Sequence, residues 1–199
     1  MKISIITVCF NSGATIETTI QSVLSQDYPD IEYIMIDGKS SDNTFEVISK
    51  YKKNIATIIS EKDEGIYFAL NKGIALATGD VIGILHADDF YTDKKKISRI
   101  ADEFIQKKVD SIYGDLQYVY KDNASKVLRS WKSGIYKHGL FLRGWMPPHP
   151  TFFVKKSVYE KLGAFNTQLK SASDYELMLR FLHKHKISVS YIQEVLVKM

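Results

Sequence analysis

An α/β fold is predicted for this chain, with a mostly parallel central sheet, helices on both faces and a smaller β-hairpin region. Three observations lead there. Apolar runs alternate with amphipathic segments four times in the first half. Each of the four apolar runs stops at or just before an acidic or polar cluster: Asn11, Asp37, Glu61-Lys62-Asp63-Glu64 and Asp88-Asp89. The second half then changes character, to short strand-like runs and a proline-rich loop. Strands joined by helical crossovers run parallel, and ligands of such sheets bind beyond the strands' carboxyl ends. The topology therefore gathers the four clusters along one edge.

The elements follow in order. Lys2 to Phe10 reads as a buried strand, and Asn11 or Ser12 can cap the next helix, in which Ile16, Ile20, Val23 and Leu24 share a face. "YPD" breaks that helix, and Ile31 to Ile36 forms a second strand ending at Asp37. "GKSSDNT" is turn chemistry, and Asn43 with Glu46 three residues on makes a capping-box pattern. A third strand spans Ile55 to Ile59. Ile66, Ala69, Leu70, Gly73, Ile74 and Ala77 recur at helical spacing, with Gly79 as a stop before a fourth strand, Val81 to Leu85. After a helix around Ile97 to Ile105, Ser111 to Tyr113, Leu116 to Tyr120 and Val127 to Trp131 read as short strands, with "KDNAS" as a hairpin connection. "GWMPPHPTFF" is predicted as a loop that excludes helix. Val154 to Leu162 and Ser173 to His185 read as helices, and Ser188 to Ile192 as a final strand. No repeat, low-complexity stretch or linker divides the chain, so residues 1–199 are expected to form one domain.

Composition narrows the function classes. Hydrophobic content of 45% and charged content of 25% are those of an ordinary globular protein. A net charge of +4, from 27 basic and 23 acidic residues, suits an anionic ligand or membrane surface but is too weak to argue for nucleic acid. The lone cysteine, Cys9, rules out an internal disulfide and a multi-cysteine metal site, and reads as a buried, inert thiol in a reducing cytoplasm. No apolar stretch approaches the ~18 residues of a membrane-spanning helix, and "MKISIITVCFNS" reads as a first strand rather than a signal peptide. Lys94 to Lys96 form either a solvated helix start or a contact with an anionic membrane.

Several residues carry two readings each. Asp88 and Asp89 in "LHADDFY" are either a solvated turn or ligands of a hard divalent cation, which offsets the repulsion between adjacent carboxylates. Asp37 is either an Asx-turn residue or an acceptor for a base or ribose. Asp42 reads as structural, and Asp63 and Glu64 stand where a helix amino end favours negative charge. His149, between Pro148 and Pro150, is a plain loop histidine or an acceptor-binding one. Asp174, with Ser173 and Glu176 as a capping box, either complements a helix dipole or serves as a general base. His183 and His185 do not share a helix face and are set aside as a metal pair. A Walker phosphate loop, a G-x-G-x-x-G after the first strand, a G-x-S-x-G elbow and an H-E-x-x-H motif are all absent.

Five stretches in register, "ISIITVCFNS", "IEYIMIDGKSSDNT", "SEKDEGIYFALNKGIALATGDVIGILHADDFY", "VYEKLGAFN" and "SDYELMLR", closely resemble family 2 glycosyltransferases. These are inverting enzymes with the GT-A nucleotide-diphospho-sugar transferase fold, and the likeness is to their bacterial capsule, O-antigen and exopolysaccharide branch. The resemblance implies a nucleotide-sugar-binding half at 1–90 and an acceptor-binding half at 91–199. It places Thr7, Cys9, Asn11, Asp37, Asp63, Lys72 and Asp88 on the nucleotide-sugar, most simply a UDP-sugar. It gives Mn²⁺ or Mg²⁺ as cofactor, with Asp88 and then Asp89 as ligands, and matches Asp174 to the catalytic base. Trp145 and His149 fall on the acceptor side, toward a glycan or polyprenyl-linked glycan. A cytoplasmic location follows, with peripheral association at the inner face of the cell membrane. His86 stands where many relatives have an acidic residue, and Thr7 replaces a usual proline. Family members normally continue beyond "EVLVKM", so a C-terminally truncated chain is expected. Two rivals share the fold or the pocket: a sugar nucleotidylyltransferase and a non-catalytic nucleotide- or glycan-binding module.

Overall fold

The computed structural model describes the whole chain, Met1 to Met199. Strand β1 (Ile3–Cys9) lies between β2 (Ile31–Asp37) and β4 (Val81–Ile84), with β3 (Thr57–Ser60) outside β2, and these four run parallel. The chain winds outward from β1 through β2 to β3, then crosses back to β4 on the other side of β1. That reversal opens a crevice between the carboxyl ends of β1 and β4, the place where open α/β sheets bind ligands.

The pleat explains why both faces are covered. Ile3, Ile5 and Cys9 point into a layer with α1 (Ile16–Leu24), α2 (Thr44–Lys50) and α4 (Lys96–Lys107). Ile6 and Val8 point the other way, into a layer with α3 (Ile66–Leu76), α5 (Lys156–Leu162) and α6 (Ser173–Met178). Alternate residues of one strand thus feed two cores. Gly73 lets α3 lie close on β1, since a Cβ there would stand 2.5 Å from Ile6 Cγ2.

The second half departs from the sequence expectation. One long strand, β6 (Ser111–Tyr120), replaces the two predicted, and its pairing with the parallel β9 (Val189–Lys198) slips between Tyr113 and Leu116. β7 (Asn123–Trp131) folds back antiparallel on β6. Two strands went unforeseen, β5 (Phe90–Tyr91) and β8 (Phe153–Lys155), because both are short and exist only through distant partners. β8 takes Val154 and Lys155 from the start of the predicted helix, leaving α5 to begin at Lys156. The proline loop does contain a 3₁₀ turn, His149–Thr151, because Pro150 falls at its first positions, where no backbone donor is needed. α6 continues from Leu179 to Lys184 with wider i→i+5 bonding, as in His185 N–H to Arg180 C=O at 2.9 Å. The Arg180 guanidinium meanwhile donates to the carbonyls of Leu162, Gly163 and Ala164 at the end of α5. Neither capping box forms. Asp42 rather than Asn43 accepts from Thr44 N–H at 3.0 Å and from Gly13 N–H at 3.0 Å, and Glu176 pairs with Arg180 at 2.8 Å.

Glu32 clamps the amino-terminal edge of the sheet. Its carboxylate is almost buried and accepts from Ser4 Oγ at 2.5 Å, Thr78 Oγ1 at 2.5 Å, Thr78 N–H at 2.7 Å and Lys2 Nζ at 2.9 Å. Burial works to raise its pKa, but the donors from Ser4, Thr78 and Lys2 outweigh it and hold the group at about 2, down from 4.5. A depressed carboxylate stabilises the fold above its unfolded pKa and loses that contribution as pH falls through the folded one. Glu32→Gln is therefore expected to cost about 2–3 kcal/mol at neutral pH and to flatten the acid limb of stability in denaturant melts.

Candidate active site

A cleft of ≈ 850 Å³ occupies the β1–β4 crevice. Its walls come from the loops after four parallel strands: Phe10, Asn11 and Ser12 after β1, Gly38 after β2, Lys62 and Asp63 after β3, and His86, Ala87 and Asp88 after β4. Ile66 and Ala69 of α3 form its floor, and Lys121 reaches it from the β6–β7 turn.

The loops are tied together before any ligand arrives. Asn11 adopts a left-handed backbone at φ 51, which asparagine tolerates better than most residues. That turn lets its side-chain oxygen accept from Ser41 N–H at 2.9 Å, while its own N–H donates to Ser40 Oγ at 2.9 Å. Asp37 does not face the cleft as expected. It is fully buried, accepting from the hydroxyls of Ser40 and Ser60 at 2.5 Å each and from Ser40 N–H. Its acceptor capacity goes into holding the Gly38–Ser41 loop in place.

Thr7 also lies outside the cleft. One pleat below the strand end, it is buried and hydrogen-bonded to Tyr33 OH at 3.1 Å. Cys9 does line the cleft, but burial and the neighbouring Asp37 push its thiol up to about 12, so it is inert as a nucleophile. Lys72 is a brace rather than a lining residue, pairing with Asp63 at 2.6 Å and Glu61 at 2.5 Å. It holds Asp63 by one oxygen, and the other, Oδ2, is buried at the cleft wall without a partner. An unmet acceptor in that position suits a donor on a ligand.

Asp88 and Asp89 part company. Asp88 is exposed on the cleft and takes no hydrogen bond or ion pair from the protein. Asp89 turns into the core, fully buried with both oxygens unpartnered, and burial, with Asp88 adding, raises its carboxyl to about 8. The predicted like-charge pair is thus one carboxylate facing solvent and one acid facing inward whose burial favours the neutral form, and Asp89 is in no position to bind a metal.

His86 connects Asp88 to the other half of the domain. Its ring is held toward the neutral form by burial, against the pull of Asp88 and Asp174. Asp174 lies in the first turn of α6, beside Tyr67, whose hydroxyl accepts from Ser173 N–H at 3.1 Å. Asp88 and Asp174, far apart in sequence, therefore both act electrostatically on one imidazole.

The two acceptor-side expectations are corrected. His149 is buried, its ring tilted 45° to that of His86 at 5.6 Å and edge-on to Phe165, and burial with the nearby His86 drops its pKa to about 3. It backs His86 rather than meeting a ligand. Trp145 donates Nε1–H to Ser133 C=O at 2.8 Å and packs among Tyr113, Tyr136 and Phe141. Phe10 and Lys121 were missed. Phe10 is 64% exposed on the rim, an aromatic placed just past the strand end, which was a readable signal. Lys121 had none, because only the β6–β7 fold brings it over.

No group of three or more His, Cys, Asp or Glu could cage a metal by protein ligands alone. Mg²⁺ and Mn²⁺ do not need such a cage: one or two carboxylates plus substrate phosphates and water suffice. A solvent-facing Asp88 with no protein partner fits a cation shared with a diphosphate.

The fold is that of a GT-A domain, a sheet with a parallel centre and a crevice at its switch point. Residues 4–163 match the family described as Glycosyl transferase family 2, and the chain belongs to that family. It is 30% identical over 181 residues to an uncharacterized glycosyltransferase of Mycobacterium tuberculosis, covering 89% of this chain and 68% of that protein. It is 36% identical over 115 residues to the poly-beta-1,6-N-acetyl-D-glucosamine synthase of Staphylococcus epidermidis, covering 57% of this chain and 28% of the synthase. Among solved structures, TarS of S. aureus in complex with UDP-GlcNAc superposes with a TM-score of 0.80 at 18% identity, covering 100% of this chain and 58% of TarS. The mannosyltransferase PcManGT of Pyrobaculum calidifontis, in complex with GDP-Man and Mn²⁺, gives 0.74 at 17% identity, covering 100% of this chain and 56% of that protein. The chain thus spans little more than half the length of these two structures.

Proposed function

We propose that the domain transfers a sugar from a nucleotide-diphospho-sugar to an acceptor hydroxyl with inversion at the anomeric carbon. The observation that carries this is that Asp88, on the cleft, and Asp174, from α6, both act on the ring of His86, which lines the same cleft. The nucleotide lies in the β1–β4 crevice, against the Phe10–Ser12 loop and Gly38, with the unpartnered Asp63 oxygen available to a base or ribose donor. Asp88 and Lys121 face the diphosphate. Asp88 would hold a Mn²⁺ or Mg²⁺ ion, which when bound would supply charge neutralisation for the departing nucleotide. Asp174 removes the proton from the acceptor hydroxyl as it attacks from the face opposite the leaving group. His149 and Trp145 shape this end from behind. A UDP-sugar is the proposed donor, supported by the UDP-GlcNAc complex of TarS. A glycan or polyprenyl-linked glycan in surface polysaccharide synthesis is the proposed acceptor, supported by the synthase relative. That acceptor would put the enzyme at the cytoplasmic face of the membrane. No helix is long and apolar enough to cross a membrane.

Titration calorimetry with UDP tests the donor site. Tighter binding with Mn²⁺ or Mg²⁺ than with chelator is expected, and identical affinities would remove the metal from the scheme.

A further inference from the structure

We propose that the segment around Ile135 and Leu142 docks the domain on an anionic lipid surface. The 37 residues from Asn123 to Tyr159 carry seven Lys or Arg and no Asp or Glu, in a chain whose net charge is only +4. Within that stretch Leu142 and Ile135 are the two most exposed large hydrophobic side chains of the protein, at 76% and 74%. Lys132, Lys137 and Arg143, all exposed, stand next to them in the chain.

These side chains are presented on a firm base. Phe141, next to Leu142, is buried against Tyr136, Trp145 and Tyr175, and its carbonyl accepts from Tyr175 OH at 2.8 Å. Tyr136, next to Ile135, donates N–H to Tyr113 OH at 2.7 Å and stacks on Trp145 at 5.2 Å. His138 stacks on His183 at 4.5 Å, which brings the exposed Lys184, His185 and Lys186 to the same surface. Buried aromatics thus hold outward two aliphatic side chains that gain nothing from water.

The combination selects a lipid interface. A soluble polyanion would need only the bases, whereas a bilayer takes apolar side chains at the headgroup–acyl boundary and bases on the phosphates. The other basic run, Lys94 to Lys96, has no exposed large hydrophobic side chain beside it, and its Lys96 is spent on Asp93 and Glu194, each at 3.1 Å. Tyr175, which holds the Phe141 carbonyl, follows Asp174 directly, so the docking segment is tied to the amino end of α6. The proposal stands apart from the transfer chemistry, because lipid binding is read without donor or acceptor.

Cosedimentation of the full chain with phosphatidylcholine vesicles, with and without phosphatidylglycerol, tests it. Binding is expected only with phosphatidylglycerol and should weaken as salt rises. The surface pairs Ile135→Ser/Leu142→Ser and Lys137→Glu/Arg143→Glu are each expected to weaken it about tenfold or more, with thermal unfolding unchanged. Lys94→Glu/Lys95→Glu should have a much smaller effect. Equal binding to both vesicle types would overturn the proposal. So would indifference to the apolar pair, or binding to inorganic polyphosphate without binding to vesicles.

Discussion

Asp174→Asn is expected to leave nucleotide and metal binding unaltered while lowering sugar transfer by about 10²-fold or more. Asparagine keeps the size of the side chain and can still accept hydrogen bonds near the start of α6, but it cannot take a proton at neutral pH. The competing role is support of the helix amino end, where a carboxylate contributes at most about 1 kcal/mol. That role would show as a small loss of stability with transfer nearly intact. The two outcomes separate cleanly because Asp174 is only part-buried and lies outside the main core clusters. Steady-state transfer rates, measured beside calorimetric nucleotide affinities, distinguish them. Near-parental transfer would take the base assignment away from Asp174.

Asp88→Ala is the second large effect. It should abolish the dependence of nucleotide affinity on Mn²⁺ or Mg²⁺ and lower transfer by about 10²-fold or more, since the diphosphate would leave without its counter-charge. Folding should stay cooperative and equally stable, because Asp88 is exposed and makes no hydrogen bond to the protein. Asp89→Asn is the control. From its buried position it should leave the metal effect intact, and loss of that effect from Asp89→Asn instead would contradict the geometry.

The first half of the fold was legible because local signals and tertiary pairing agree there. β1, β2 and β4 are apolar runs buried on both faces, and their ends match the predicted ends within one or two residues. β8 was hidden because Pro147, Pro148 and Pro150 announce a loop, while the pairing of Val154 with both Ile82 and Ser111 makes the following residues a strand. No local pattern carries that information.

The site shows the same division. Position along the sheet edge was readable, so Asn11, Asp63 and Asp88 fall on the cleft. Orientation was not. Thr7 lies one pleat too deep, Asp37 turns inward at the end of β2, and Asp89 turns inward just before β5. The resemblance puts Lys72 on the nucleotide-sugar, but its partners, Asp63 and Glu61, come from the preceding loop. His149 appears exposed from its flanking prolines, yet His86 and Phe165 close over it from elements distant in sequence.

The cleft is proposed to hold a nucleotide-diphospho-sugar for transfer. The most direct test is to incubate the protein with a panel of UDP- and GDP-sugars and Mn²⁺, with polyprenyl-linked and oligosaccharide acceptors, and to measure nucleoside diphosphate release and glycosylated product, using Asp174→Asn as the blank. Release of nucleoside diphosphate from at least one donor, matched by inverted glycosylated product and absent with the variant, is the expected result. Release of pyrophosphate from a nucleoside triphosphate and a sugar phosphate, with no transfer from any nucleotide-sugar, would contradict it.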